Sequence, residues 1–148
     1  MVPLMTGACS KSYEAADNGG TATAAALPAA VAANATDTLG GQKLADFKGD
    51  AAAGEAAFAV CKSCHVVDPD VNRIGPSLHA IVGRRAGTVP GFHYSQANKS
   101  SGITWTAEKL FQYLEQPQRV VPGTSMTFAG LPDPQKRADV IAYLKSKS

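Results

Sequence analysis

Residues 61–65 read Cys61-Lys62-Ser63-Cys64-His65, the C-x-x-C-H spacing of c-type haem attachment. The chemistry accounts for the spacing. Two thiols three residues apart can each add to one vinyl group on adjacent pyrrole rings. The histidine that follows is then directed at the iron, where an imidazole is a strong axial ligand. Two other readings of a C-x-x-C pair compete. A thioredoxin-like redox pair needs a βαβ setting, and strand-like alternation is scarce in this chain. Half a zinc site needs a second pair of ligands, whereas Cys9 stands far away near the N-terminus and His79 and His93 stand alone.

A haem iron bound by His65 on one side needs a ligand on the other. The chain has three methionines, of which Met1 and Met5 lie near the N-terminus and Met126 lies in the sequence Val121-Pro122-Gly123-Thr124-Ser125-Met126. Pro122 and Gly123 mark this segment as a loop, and a loop methionine is a poorer core filler than one on an amphipathic helix. A thioether on the iron favours the ferrous state relative to a second imidazole. His79 and His93 remain the alternatives for this position.

Composition divides the chain. Of 26 alanines, 13 fall in the first 46 residues, which hold one aromatic, Tyr13, and no isoleucine. The stretch NGGTATAAALPAAVAANATDTLGGQ, residues 18–42, lacks side chains large enough to offset chain entropy. Residues 10–46 therefore read as a flexible Ala/Thr/Gly-rich linker, and residues 47–148 as a packed domain. That domain holds nine of the ten aromatics and all four isoleucines, and carries a net charge of +4 against −2 for the first 46 residues. The overall charge of +2 gives no basis for nucleic-acid binding. No run of about 18 apolar residues occurs, so the chain contains no complete membrane-spanning helix.

Helix signals in the domain are short. Asp50 caps a segment reading AAAGEAAFAV, Thr106 precedes AEKLFQYLEQ with Leu110, Tyr113 and Leu114 on one stripe, and Pro117 ends it. A last helix opens with Asp133 as N-cap and Pro134 in the first turn, and Ala138, Ile141, Tyr143 and Leu144 supply its buried side. The fold class is all-α, with much loop. A domain of about 100 residues has a thin core, and a loop-rich one wraps something.

From about Asp50 to the end the chain resembles a class I cytochrome c, nearest the mitochondrial and alphaproteobacterial c2-like group. The stretch GPSLHAIVGRRAGTVPGFHYSQANKSSGITWTAEKLFQYLEQPQRVVPGTSMTFAGLPDPQKRADVIAYLKS carries the resemblance together with the Cys61–His65 motif. It implies short helices and long loops around one covalently bound haem c, with Cys61 and Cys64 in the thioethers and His65 and Met126 as axial ligands. Pro76 resembles the proline whose carbonyl accepts the His65 ring N–H. Arg84, Tyr94 and Trp105 resemble the side chains that bond the buried propionates. Asn98, Tyr113 and Thr124 resemble the polar cluster around an internal water on the methionine side. Gly54, Phe58 and Tyr143 resemble the crossing point of the terminal helices.

The resemblance further implies a one-electron carrier and no enzyme. Its expected partners are a membrane-bound donor such as a bc1-type complex and an acceptor such as a terminal oxidase or reaction centre, met as a monomer. The rival reading is a catalytic or sensory haem protein in which Met126 leaves and a small ligand binds. One departure stands out. Mitochondrial members ring the exposed haem edge with lysines, but here Val60, Gln118, Ser125, Pro132 and Asp133 are neutral or acidic, leaving Arg119 and Arg73. Long-range steering toward acidic partners is accordingly expected to be weak.

Cys9 is the unpaired thiol. Haem is attached to C-x-x-C-H outside the cytoplasm, which implies export, yet the eight residues before Cys9 have neither a basic start nor an adequate apolar run. Val2-Pro3-Leu4-Met5-Thr6-Gly7-Ala8-Cys9 resembles the end of a lipoprotein signal, with Thr6 where leucine is usual. The expectation is a gene start upstream, a signal remnant over residues 1–9, and a lipidated Cys9. The domain would then be tethered on the periplasmic side of a bacterial inner membrane; the alternative is a soluble periplasmic protein.

Overall fold

The computed structural model describes residues 29–148. The signal-like segment 1–9 with Cys9, and residues 10–28 of the expected linker, lie outside the described residues. Five helices run α1 Ala51–Ala57, α2 Gln96–Lys99, α3 Ala107–Glu115, α4 Pro117–Val120 and α5 Pro134–Lys145. Short 3-10 turns at Leu44–Asp46 and Phe58–Val60 complete them. Among the described residues the only extended pairing is an isolated bridge between Arg85 and Thr104. The architecture is all-α, as the sequence implies.

The caps fall where the sequence puts them. The Asp50 carboxylate accepts from the Ala53 N–H at 2.8 Å, the Thr106 hydroxyl from the Lys109 N–H at 3.1 Å, and Asp133 from the Gln135 N–H at 2.9 Å. Each satisfies an N–H that the first turn leaves unpaired. Pro117 ends α3 as expected, and it also opens α4. A proline has no N–H with which to continue α3, but its fixed φ suits the first position of a new helix.

α1 crosses α5 closely, with Gly54 against the Asp139 carbonyl and the Phe58 and Tyr143 rings 5.2 Å apart. α3 packs beside α5 and contributes Leu110, Phe111, Tyr113 and Leu114 to one core that also takes in Ile81, Ile103, Trp105, Val140 and Leu144. None of the described helices is long and apolar enough to cross a membrane.

The part of the expected linker that is described, residues 29–46, lies on the domain. Ala33, Leu44 and Phe47 pack on the core, Thr38 is buried, and the Phe47 ring sits 5.8 Å from Phe111. The attachment is made mainly through backbone groups of residues 32–39, captured by side chains of α3 and α4.

Candidate functional site

The helical path of α1 continues through the Phe58–Val60 turn into the Cys61–His65 segment. The Cys61 N–H donates to the Phe58 carbonyl at 2.8 Å and the His65 N–H to the Cys61 carbonyl at 2.9 Å. This local winding places Cys61, Cys64 and His65 on the wall of one cavity of about 390 Å³. All eleven domain residues singled out from sequence as cofactor contacts line it. His79 and His93 do not.

His65 is held in one tautomer. Its Nδ1 lies 2.8 Å from the Pro76 carbonyl oxygen, which can only accept, so Nδ1 carries the proton and Nε2 keeps its lone pair. Burial lowers the pKa of the ring, opposed by the Pro76 hydrogen bond, and the Arg84 charge lowers it further. The imidazole is therefore kept neutral, the form that binds a metal. Gly75 is a site residue that the sequence reading passed over. A Cβ there would meet the His65 ring, 2.6 Å from Nδ1 and 2.7 Å from Nε2, so only glycine lets the ring lie flat on the chain. The signal was the Gly75-Pro76 dipeptide.

Met126 reaches the same cavity on a loop. The Thr124 N–H closes a turn on the Val121 carbonyl at 3.0 Å, with Pro122 second and Gly123 third at φ +86°, the type II pattern that calls for proline and glycine in that order. The Tyr113 hydroxyl donates to the Met126 sulfur at 3.3 Å, and the Thr124 hydroxyl accepts from the Met126 N–H at 3.3 Å. Burial pushes the Tyr113 phenol up to about 12, with Thr124 opposing, so it remains a donor across the neutral range. Gln118, read from sequence only as a neutral surface position, donates to the carbonyls of Thr124 at 3.2 Å and Met126 at 3.1 Å.

The remaining polar residues take up particular tasks. Residues 83–86 pair with 103–105, the Trp105 N–H donating to the Arg84 carbonyl at 2.8 Å, which brings Arg84 and Trp105 together. Arg84 donates from its two terminal nitrogens to the carbonyls of His79 at 3.0 Å and Ser77 at 2.8 Å, fixing the loop after Pro76. The Tyr94 hydroxyl accepts from the Val89 N–H at 3.3 Å, leaving its own proton to give. Asn98 Oδ1 is buried and has no hydrogen-bond partner among the described residues. A buried acceptor without a donor is costly, and this one lies in the cavity wall with Tyr113 and Thr124.

The donor set fits a covalently held haem better than the two competing readings. Burial pushes the Cys61 thiol up to about 11, with Cys64 adding to the rise, whereas a thioredoxin-type nucleophile is a thiol of lowered pKa. Among the described residues no three His, Cys, Asp or Glu side chains converge as a zinc site would require. Two free thiols, a neutral imidazole and a thioether open instead onto one apolar cavity walled by side chains such as Phe58, Leu78, Ile81 and Trp105.

Comparison with known proteins agrees. The cytochrome c family model matches residues 51–148. The chain is 52% identical over 99 residues to a cytochrome c2 of Rhodopila globiformis, covering 66% of this chain and 93% of that protein. It is 50% identical over 97 residues to a cytochrome c2 of Blastochloris viridis, covering 65% of this chain and 76% of that one. Among solved structures, cytochrome cH from Methylobacterium extorquens superposes with a TM-score of 0.65 at 51% identity, over 67% of this chain and all of that one.

Proposed function

The chain belongs to the cytochrome c family and carries one covalently attached haem c, and on that premise we propose that it shuttles single electrons between redox complexes held in a membrane. Members of this family are electron carriers, not enzymes. The haem supplies the one-electron couple of its iron. Cys61 and Cys64 would hold it by thioethers, and His65 and Met126 would ligate its iron. With two side chains ligating the iron, no open position would be left on it for dioxygen or a substrate. The Pro76 carbonyl keeps the His65 ring oriented and basic, and the Tyr113 hydroxyl holds the Met126 sulfur. Arg84, Tyr94 and Trp105 would donate to its propionates, and Asn98, Tyr113 and Thr124 would surround an internal water; all six line the cavity.

The observation that carries this reading is the convergence of the two thiols, His65 and Met126 on one apolar cavity. Acid–acetone extraction followed by mass spectrometry tests the attachment: one haem mass stays on the polypeptide. Free haem in the organic phase, with apoprotein left behind, refutes it. A weak far-red band in the oxidised protein reports the iron–sulfur bond, and its absence from native protein removes Met126 as a ligand.

The donor is of the bc1 type, and the acceptor is a terminal oxidase or a reaction centre, met by a monomer on the periplasmic side of a bacterial inner membrane. Cys9 is the lipidated anchor. The basis is the lipoprotein-like Val2–Cys9 sequence together with the neutral haem edge. Expression with upstream sequence and cell fractionation tests the anchor: wild type goes to the membrane and Cys9→Ser to the soluble periplasm. Recovery of both in the soluble fraction rejects it.

A further inference from the structure

Residues 29–46 are gripped by α3 in a way that a mere connection does not require. Lys109 and Gln112 are 1% and 0% exposed. The Lys109 ammonium donates to the carbonyls of Ala32 at 2.9 Å and Ala35 at 2.8 Å, and to Gln112 Oε1 at 2.7 Å. Three acceptors satisfy its three protons, which is what makes a buried charge tolerable. The Gln112 amide then donates to the Asp37 carbonyl at 2.8 Å. The family match begins at residue 51, so this strap is additional to the matched body.

The strap reaches the Met126 loop from both ends. On one side the Asp37 carboxylate pairs with Arg119 of α4 at 2.7 Å. The next residue, Gln118, holds the carbonyls of Thr124 and Met126. On the other side the Leu39 N–H donates to one oxygen of Glu115 at 2.8 Å, while the other oxygen lies 3.5 Å from Arg137. Arg137 is wholly buried and donates to the carbonyls of Leu131 at 2.7 Å and Pro132 at 3.1 Å. The loop 121–133 is thus pinned in front through α4 and behind through Arg137, and each pin ends on the strap.

We propose that residues 29–46 are a brace that keeps the Met126 loop closed, with Lys109, Asp37 and Glu115 as its positioning residues. The proposal rests on Met126 being the sixth ligand. Exchange of that ligand requires residues 121–133 to move, and a strap bound only to the closed arrangement shifts the equilibrium against opening.

The test uses full-length holoprotein in the ferric state, titrated with imidazole and followed by loss of the far-red band. Lys109→Met is expected to tighten imidazole binding about tenfold, within the usual range for coupled sites, and to speed amide exchange across residues 121–133. Asp37→Ala, which removes a largely exposed partner, is expected to give about twofold, and Glu115→Gln an intermediate value. Ala56→Gly on the exposed face of α1 serves as a destabilised control and leaves imidazole affinity unchanged. An intact far-red band with wild-type affinity in Lys109→Met overturns the brace, as does an equal change in Ala56→Gly. If Lys109→Met does not fold, unchanged affinity in both Asp37→Ala and Glu115→Gln overturns it. Native protein without the band overturns the ligand reading itself.

Discussion

Replacing Gly54 by alanine adds a methyl group where the backbone of another helix already stands. On helix propensity alone the change gains about 1 kcal/mol. The crossing reverses that sign. A Cβ at residue 54 would fall against the Asp139 carbonyl oxygen, 2.5 Å from its carbon and 2.9 Å from the Tyr143 Cβ. Relief to the 3.4 Å of ordinary contact needs a shift of at least about 0.9 Å, measured from that carbon and larger for the nearer Asp139 oxygen, and backbone cannot rotate away. A gap of that size forfeits a quarter to a half of the dispersion attraction across the contact, here between the buried Phe58 and Tyr143 rings. Overpacking of this kind costs about 1–3 kcal/mol; taking the upper end and subtracting the propensity gain of about 1 kcal/mol leaves about 2 kcal/mol of net destabilisation. For a domain of about 100 residues that is a fall in Tm of roughly 8–16 °C. Thermal unfolding of the holoprotein, followed by far-UV circular dichroism, measures it. A Gly54→Ala protein that melts at or above the wild-type temperature refutes the argument, because propensity alone would then have decided the outcome.

Met126→Ala is expected to leave a folded haem protein of markedly lower reduction potential, since any replacement ligand favours ferric iron relative to a thioether; redox titration checks it, and an unchanged potential contradicts it. Ala80→Gly relieves a residue held at φ +50° and should stabilise by about 1 kcal/mol, seen as a higher urea midpoint at constant slope. Burial, aided by the Glu55 and Asp68 carboxylates, raises the Tyr143 phenol above its ordinary value of 10.0. A raised folded-state value means that its contribution to stability is full below pH 10 and is lost as pH rises toward the folded value. Tyr143→Phe should therefore lose less stability than wild type above pH 10, and an equal loss of unfolding free energy in the two proteins between pH 8 and pH 11, measured by urea unfolding, would contradict this. The rate of electron transfer to a membrane-bound partner should vary only modestly with ionic strength in the domain, whose +4 charge is spread over 102 residues and screened beyond about 10 Å at 0.1 M salt.

The site was legible because its chemistry is written in side chains. Cys61, Cys64 and His65 are fixed by spacing, and Met126 is the domain's single methionine. Caps were legible for the same reason, since Asp50, Thr106 and Asp133 act through side-chain oxygens. The strap was not. It binds through the carbonyls of Ala32, Ala35 and Asp37 and the N–H of Leu39, groups that every residue possesses, so composition bears no trace of it. Its receptor was hidden too. Lys109 and Gln112 belong to the face of α3 that periodicity assigns to solvent, and they are buried by contact with residues far away in sequence. α4 escaped notice because Pro117 was read as a stop, when a proline both ends one helix and suits the start of the next.

Docking of the strap also changes what the N-terminus can do for electron transfer. Arg119, one of two arginines left near the haem edge, spends its charge on Asp37, so the steering field is weaker still than the sequence implies. Proximity must then do more of the work of finding a partner, and proximity is bounded by chain length. Counted from Cys9, a free connection ending at residue 46 would contain 37 residues and span at most about 122–133 Å. With residues 29–46 held on α3, 19 residues remain between Cys9 and the strap, spanning at most about 63–68 Å. For a flexible connection the effective concentration of a partner within reach falls roughly as the −3/2 power of length, so the shorter one raises it about threefold, and it excludes any partner beyond its full extension. Were Cys9 the anchor proposed above, the hydrogen bonds that hold residues 29–46 on α3 would also set how far from the membrane this electron carrier could work. On those two proposals a weakened strap would trade a steadier Met126 loop for a longer reach.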